Sequence, residues 1–165
     1  MLKDSRKELY NYIFGILQNK NCHVYRINGV EDHLHIATSV HPSVSLAALV
    51  KDIKLASSKM IKSNNLFPGF EGWQEGYAAF TRSYSSLDNL VNYIKNQEEH
   101  HKKVSFLDEY KQLLEEHGVV FDPKYLLRIQ PLSGLGFKVA YLVQPPDCIR
   151  GKYPKRGFNP FGILR

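Results

Sequence analysis

The sequence predicts a small α/β domain of the α+β type, in which helices pack against one face or both faces of an antiparallel sheet. Apolar residues recur at helical spacing in four segments, two strand-like runs meet at a turn signal, and a third strand-like run follows a glycine-rich aromatic segment. These observations give the order α-β-β-α-β-α-α, which is typical of a layered sandwich. A chain of 165 residues with 43% hydrophobic content is long enough to bury one core.

The first helix and a hairpin are predicted from the N-terminal quarter of the chain. Ser5-Arg-Lys-Glu8 has the pattern of a capping box, and the apolar spacing after it predicts a helix over residues 5–19. Two strand-like runs, 22–28 and 30–40, are separated at Asn28-Gly29. We therefore expect a β-hairpin there.

Three more helices and a strand are predicted from the next eighty residues. His41-Pro42-Ser43 is expected to open a helix of about twenty residues. Residues 70–83 carry too many glycines for a helix, and their aromatic residues favour an irregular segment that leads into a strand. Capping boxes at Ser85-Ser-Leu-Asp88 and Ser105-Phe-Leu-Asp108 then open two helices, of which the first runs to about Lys102.

The charge distribution divides the chain into a neutral body and a basic tail. Residues 1–127 hold 15 Lys and Arg against 15 Asp and Glu, whereas residues 128–165 hold seven against one and supply the excess behind the net charge of +6. The tail is rich in glycine and proline, so we expect it to be irregular. A basic tail attracts phosphate without regard to sequence, and translation into flanking DNA would give the same composition.

Other features concern the cellular compartment. The chain has no apolar run of membrane-spanning length, and its N-terminus lacks the apolar stretch of a signal peptide. Cys22 and Cys148 lie far apart and show no metal-binding spacing. The sequence therefore predicts a reduced cytoplasmic protein with no membrane partner.

The first candidate chemical motif is His33-Leu34-His35. Residues i and i+2 of a strand share one face, so both imidazoles project together and can bind a divalent metal. Glu31 and Asp32 could orient them. Seen alone, however, a His-x-His sequence on a strand is more often accidental than functional.

The second motif is Tyr93-Ile-Lys-Asn-Gln97. On a helix, residues i and i+4 are neighbours, so the phenol and the amide would lie side by side, off the apolar stripe and facing a solvent-filled cleft. Tyrosine is a covalent nucleophile in several enzyme classes. The alternative is that Tyr93 is a packed residue of an amphipathic helix.

Taken in order along the chain, these segments resemble the IS200/IS605-like single-tyrosine HUH transposases. Asp32-His-Leu-His-Ile36 is similar to the family's metal motif. Trp73-Gln-Glu-Gly-Tyr77 and the stretch from Tyr93 to Lys103, followed by Phe106, are similar to its catalytic-helix block. The resemblance covers residues 1–127, which we treat as the transposase domain.

The resemblance implies a fold, a site and a reaction. It implies a ferredoxin-like or RRM-like sandwich, with His33, His35 and Gln97 binding Mg²⁺ or Mn²⁺ and Tyr93 acting as the nucleophile. The expected substrate is hairpin-forming single-stranded DNA, which the enzyme nicks and rejoins through a 5′-phosphotyrosine, leaving a free 3′-hydroxyl. A homodimer is expected, with His33 and His35 of one protomer facing Tyr93 of the other.

The resemblance also defines two departures. Family members begin with a β-strand that lies beside the His-x-His strand, and this chain starts almost directly at the first helix. We therefore expect a domain truncated at its N-terminus, with the His-x-His strand left partly unpaired and open to a partner. The segment after residue 127 does not resemble family sequence.

Five basic residues are candidates for DNA contacts. Four lie on the long second helix, which we expect beside the proposed site, and the fifth lies near the third strand: Lys51, Lys54, Lys59, Lys62 and Arg82. A solvated helix face is an equal alternative for the lysines. His100 and His101 are not assigned as ligands.

Two other functions remain open from the sequence. The first is a non-catalytic nucleic-acid-binding module on the same fold. The second is an unrelated His-x-His metalloenzyme, such as an iron oxygenase with a carboxylate as third ligand, although spacing marks no such carboxylate.

Overall fold

The computed structural model of this chain describes residues 3–74, 76–122, 126 and 136–143. Five α-helices and four strands are present in this part of the chain. They are α1 Lys3–Asn19, β1 His23–Gly29, β2 His33–Ser39, α2 Leu46–Ser63, β3 Ala78–Arg82, α3 Leu87–Lys95, α4 Gln97–His101, α5 Phe106–Glu116 and β4 Gly136–Val143. None of the helices described is long and apolar enough to cross a membrane.

The four strands form one sheet in the order β1-β2-β4-β3. Strands β1 and β2 pair antiparallel, while β4 runs parallel to both β2 and β3. The predicted α+β sandwich is thus confirmed, but its sheet is mixed rather than antiparallel throughout. The reason is that a strand from the C-terminal segment enters between β2 and β3 in the same direction as its neighbours.

Strand β4 corrects the expectation that residues 128–165 are irregular. Residues 136–143 lie between glycine and proline signals that dominated the sequence pattern, yet their own sequence, Gly-Phe-Lys-Val-Ala-Tyr-Leu-Val, is typical of a strand. Pairing with β2 and β3 satisfies the backbone groups that those two strands would otherwise leave open. The rest of that segment, 128–135 and 144–165, lies outside the described residues.

Strand β2 is therefore paired on both sides, and the expected unpaired edge at the His-x-His strand is wrong. It pairs with β1 from Leu34 opposite Gly29 and with β4 from His33 opposite Gly136. Both positions beside β2 are filled, one by β1 and the other by β4. All seven residues of β2 are buried.

Two helical layers cover the two faces of the sheet. On one face, α1 and α2 bury an apolar cluster that includes Leu34 and Ile36 of β2. On the other face, α3 and α5 bury a second cluster that includes Ala37 of β2. Because side chains alternate along a strand, His33 and His35 share the face of Ala37.

The helix starts partly follow the capping patterns. Ser105 caps α5, its hydroxyl oxygen accepting from the backbone N–H of Asp108 at 3.2 Å, as predicted. Helix α1 already includes Ser5, and Ser86 precedes α3 after a 3₁₀ turn without a side-chain cap. Helix α2 begins at Leu46, later than the predicted opening at residue 41. Residues 41–44 form a turn instead, in which His41 Nδ1 lies 2.7 Å from Ser43 Oγ and the Val44 N–H donates to the His41 carbonyl at 2.9 Å.

The predicted hairpin is confirmed, with its loop at residues 30–32 rather than at Asn28-Gly29. The N–H of Val30 donates to the His33 carbonyl at 3.1 Å and closes the turn. Gly29 lies directly against this contact, because an added Cβ would approach the His33 carbonyl oxygen to 2.3 Å. The turn that leads into the His-x-His strand therefore requires glycine.

Replacing Gly29 with alanine is expected to lower the free energy of unfolding by about 2 kcal/mol, because the new methyl group overlaps a backbone oxygen that cannot move without shifting β2. Urea denaturation followed by circular dichroism measures this loss. Gly15→Ala is the matched control, since a Cβ there would meet no described residue outside its own helix within 4 Å and a helical alanine should stabilise by about 0.5–1 kcal/mol. Equal stabilities of the two variants would contradict the steric argument.

Candidate metal and nucleophile site

His33 and His35 project together from β2 toward the layer of α3, α4 and α5. Both side chains are fully buried, and their ring centroids lie 4.9 Å apart. Leu34, between them, packs in the opposite cluster with α1 and α2. The spacing of the motif thus brings both imidazoles to one buried point.

Neighbouring groups determine which imidazole nitrogens face this point. The Nδ1 atom of His33 lies 2.6 Å from Oδ1 of Asp32, so that carboxylate orients the ring and leaves Nε2 toward the interior. Burial, together with the neighbouring histidines, lowers the pKa of His35 well below its usual range. His35 is therefore a neutral imidazole with a lone pair available for a cation.

Tyr93 and Gln97 belong to two helices rather than one. Helix α3 ends at Lys95 and α4 begins at Gln97, so the predicted continuous helix to about Lys102 is interrupted at Asn96. The side-chain amide of Asn28 donates to the carbonyl of Ile94 at 2.8 Å and so binds this break to β1. A strand residue therefore fixes the segment that carries Tyr93.

Gln97 is fully buried, which corrects the expectation that it faces a solvent-filled cleft. Tyr93 is half-buried, and its ring contacts His35 edge-on with centroids 6.2 Å apart. The two side chains still converge, although not through helical i and i+4 spacing alone. Both donate hydrogen bonds to the same carboxylate oxygen, Oε1 of Glu109.

Glu109 is a site residue that the sequence analysis missed. It lies on α5, is 2% exposed, and receives the Tyr93 hydroxyl and, at 3.2 Å, the Gln97 amide. Burial and the nearby Asp32 carboxylate raise the pKa of Glu109 to about 8. The signal was its position on the apolar stripe of α5, three residues after Phe106 and four before Leu113, where a carboxylate needs a reason to be buried.

The second missed residue is His101, which the sequence analysis left unassigned. Its Nδ1 atom lies 3.0 Å from the carbonyl oxygen of Val104, and its Nε2 atom lies 3.3 Å from Oε2 of Glu109. Burial and the neighbouring His33 lower the pKa of His101 to about 4. His100 is farther away, with Nε2 4.0 Å from Oε1 of Glu109.

The donor set fits a divalent cation. The ligand atoms of His33, His35, His101 and Glu109 all lie within 4.8 Å of one another. Within the part of the chain that the structure describes, the buried atoms without a hydrogen-bond partner include Nε2 of His33, Nε2 of His101, Oε1 of Gln97 and Oε2 of Glu109. Buried polar atoms without partners are costly, and a cation among these lone pairs would satisfy them.

A cavity of about 320 Å³ opens beside Tyr93. Its wall includes Arg82, Asn89 and Gln112, and Arg82 forms an ion pair with Glu116 at 2.8 Å. Tyr93 itself is one of the residues that line this cavity. The structure thus places Arg82 near the proposed nucleophile.

The lysines of α2 do not lie beside the site, contrary to expectation. Helix α2 packs against the Leu34 and Ile36 face of the sheet, opposite the two histidines. Lys54 donates to the carbonyls of Gln74 and Gly76 and so holds the segment before β3. Its exposed neighbours on α2 are Lys51, Lys59 and Lys62.

One comparison with known proteins gave a match. The sequence model of one family, described as Transposase IS200 like, matches residues 1–97, which is more than half of the chain. Comparison with curated proteins and with solved structures gave no match. The family match favours a transposase over the alternative of an unrelated His-x-His oxygenase. This chain belongs to the IS200-like transposases, a family of DNA-processing enzymes.

Proposed function

We propose that this transposase cleaves and rejoins single-stranded DNA at the ends of its insertion element through a covalent bond to Tyr93. The observation that carries the proposal is the position of the Tyr93 hydroxyl. Tyr93 lines a cavity, and its hydroxyl donates to Glu109, whose carboxylate oxygens lie 3.8 Å from both His33 and His35. A phenol held against a histidine and carboxylate cluster can act as a nucleophile toward phosphate.

The reaction would form and break one bond to phosphorus in each direction. The Tyr93 oxygen bonds to the phosphorus, and the bond to the 3′ oxygen breaks, which leaves a 5′-phosphotyrosine and a 3′-hydroxyl. The phenolic proton moves to Oε1 of Glu109 and then to solvent, and solvent protonates the departing oxygen. Attack by another 3′-hydroxyl reverses the step and releases Tyr93, so no nucleotide cofactor is consumed.

Mg²⁺ or Mn²⁺ is the cofactor that we propose, with His33, His35 and Gln97 among the groups that would hold it. When bound, the cation would offset negative charge on the phosphate and favour the ionised form of Glu109. The residues of this chain supply the orientation. Asp32 fixes the ring of His33, and the Gln97 amide fixes the carboxylate that receives Tyr93.

The candidate DNA contacts divide by position. Arg82, in the wall of the cavity, is placed to contact the DNA strand that reaches Tyr93. Lys51, Lys59 and Lys62 could bind phosphates only of DNA that passes to the opposite face of the sheet. Lys54, which donates to two backbone carbonyls, would first have to leave them.

The test of this function is detection of the covalent intermediate. Incubation with single-stranded ends of the element and Mn²⁺ is expected to give a protein–DNA adduct that survives SDS, and mass spectrometry of its peptides should place the phosphate on Tyr93. Phosphate on any other residue would overturn the assignment. Hairpin binding without an adduct would instead identify a non-catalytic nucleic-acid-binding module.

A homodimer with shared sites is the assembly that we propose, because transposition processes two DNA ends and each chain carries one tyrosine helix. In the structure all parts of the site come from one chain. An exchange of the helical segment 84–116 between two chains would make the same contacts between protomers, since a swapped element recreates the original interface.

Mixing two inactive chains tests the shared site. A His33→Ala, His35→Ala chain and a Tyr93→Phe chain should together regain cleavage, because one of the two composite sites has all its parts. Gel filtration and a tag on each chain verify the heterodimer. No recovery in a verified heterodimer would place each site within a single chain.

A further inference from the structure

We propose that Glu109 and His101 bind the same divalent cation as His33 and His35, and that this site prefers a transition-metal ion such as Mn²⁺ or Co²⁺ over Mg²⁺. The inference deepens the proposed function, on which it rests, because it concerns the cation of that site. Both residues lie beyond the segment 1–97 that the family model matches.

The distances around Glu109 support a shared ion. Its Oε2 atom lies 3.8 Å from Nε2 of His33 and 3.3 Å from Nε2 of His101, while its Oε1 atom lies 3.8 Å from Nε2 of His35. Two ligand atoms that share an ion at about 2.1 Å are separated by roughly 3.0–3.4 Å at octahedral or tetrahedral angles. Small side-chain movements would close the difference.

The orientation of the rings supports the same assignment. The Nδ1 atom of His101 lies 3.0 Å from the Val104 carbonyl oxygen, an acceptor, so Nδ1 carries the proton and Nε2 presents its lone pair to Glu109. Asp32 plays this part for His33. An outer acceptor on the second ring nitrogen is typical of metal-bound histidine.

The burial of Glu109 beside three imidazoles favours a bound cation. Its ion-pair partners among the described residues are histidines, and its Oε2 atom has no hydrogen-bond partner. A buried carboxylate is rare unless it is paired or coordinates a metal. A cation held jointly with the imidazoles would provide the missing charge.

The chemistry of the donors sets the preference for the metal. Three imidazole nitrogens and one carboxylate suit Mn²⁺, Co²⁺ or Zn²⁺, whereas Mg²⁺ prefers oxygen ligands and retains several waters. A four-ligand set from β2, α4 and α5 leaves little room for those waters in a buried cluster. Gln97 also positions this set, because its amide Nε2 donates to the Glu109 carboxylate.

Metal binding by the full chain, measured without DNA, tests this proposal. Calorimetry with Mn²⁺ should show at least about a tenfold loss of affinity in Glu109→Gln and in His101→Gln, because a neutral amide replaces a carboxylate or an imidazole, each a stronger ligand for Mn²⁺. Added Co²⁺ should give visible absorption bands in the original protein that weaken in both variants. In a competition experiment, Mn²⁺ should stay bound when Mg²⁺ is added at a hundredfold higher concentration.

Matched variants separate ligand loss from general damage. Glu115 lies exposed on the same helix, and His41 lies outside the cluster. The variants Glu115→Gln and His41→Gln should therefore bind Mn²⁺ like the original protein. Circular dichroism checks that each variant is folded. If Glu109→Gln does not fold, the role of these ligands is tested with two other variants. These are His101→Gln and Glu109→Asp, and the latter shortens the side chain by one methylene.

Two results would overturn the inference. The first is an unchanged Mn²⁺ affinity both in His101→Gln and in a folded Glu109 variant. The second is displacement of Mn²⁺ by an equal concentration of Mg²⁺. Failure of the proposed function looks different, because the variants would then lose Mn²⁺ while no adduct formed on Tyr93. An adduct on Tyr93 together with unchanged metal affinities would reject this inference alone.

Discussion

Replacing Tyr93 with phenylalanine is expected to abolish the SDS-stable adduct, with a loss of cleavage on the order of 10⁴-fold or more, as for other covalent nucleophiles. The change removes one oxygen and keeps the ring. The ring contacts with His35, His100 and Tyr141, at centroid distances of 6.2, 5.3 and 6.4 Å, would persist. The lost hydrogen bond to Glu109 should cost only about 1 kcal/mol of stability.

The measurement combines adduct formation on denaturing gels with hairpin DNA binding in a mobility shift. Tyr84→Phe is the matched control, because Tyr84 lies exposed in the 3₁₀ turn before α3, and its adduct yield should not change. DNA binding of Tyr93→Phe should stay within a few fold of the original. An adduct of undiminished yield in Tyr93→Phe would assign the nucleophile elsewhere.

The second large effect is expected from His33→Ala combined with His35→Ala. This change removes two imidazoles of the four-residue cluster, so metal-dependent cleavage should disappear and Mn²⁺ binding should fall below detection by calorimetry. Hairpin binding should remain largely intact, because phosphate contacts position the DNA independently of the cation.

The double variant needs a stability control because both histidines are fully buried. Two alanines leave a cavity in the second helical layer, so some loss of unfolding free energy is expected. Denaturation measures that loss, and His41→Ala reports the effect of removing an imidazole outside the cluster. Unchanged Mn²⁺ affinity in the folded double variant would count decisively against this site.

The central strand β2 serves both the fold and the site. Leu34 and Ile36 fill the cluster under α1 and α2, while His33 and His35 face the helices that carry Tyr93 and Glu109. The burial of β2 on both sides fixes its register, since a slip of one residue would move the imidazoles into the opposite core. The rigidity of the site therefore follows from the packing of the sheet.

The sequence by itself determined the features that depend on near neighbours along the chain. The alternation of His33, Leu34 and His35 placed two imidazoles on one face, and the Ser105 pattern located the start of α5. The resemblance of residues 1–127 indicated the family, and the match over residues 1–97 confirmed it. The apolar periodicity of the predicted helices and strands indicated the α+β class without knowledge of any distant contact.

Tertiary structure alone decided what depends on residues far apart in the chain. Glu109 and His101 become site residues only because α4 and α5 pack over β2, a contact that no local spacing encodes. The lysines of α2 lie away from the site because α2 covers the other face. Strand β4 was not predicted because the glycines and prolines on either side of it outweighed its short apolar run. It forms because β2 and β3 offer unpaired backbone groups, which only the folded sheet brings together.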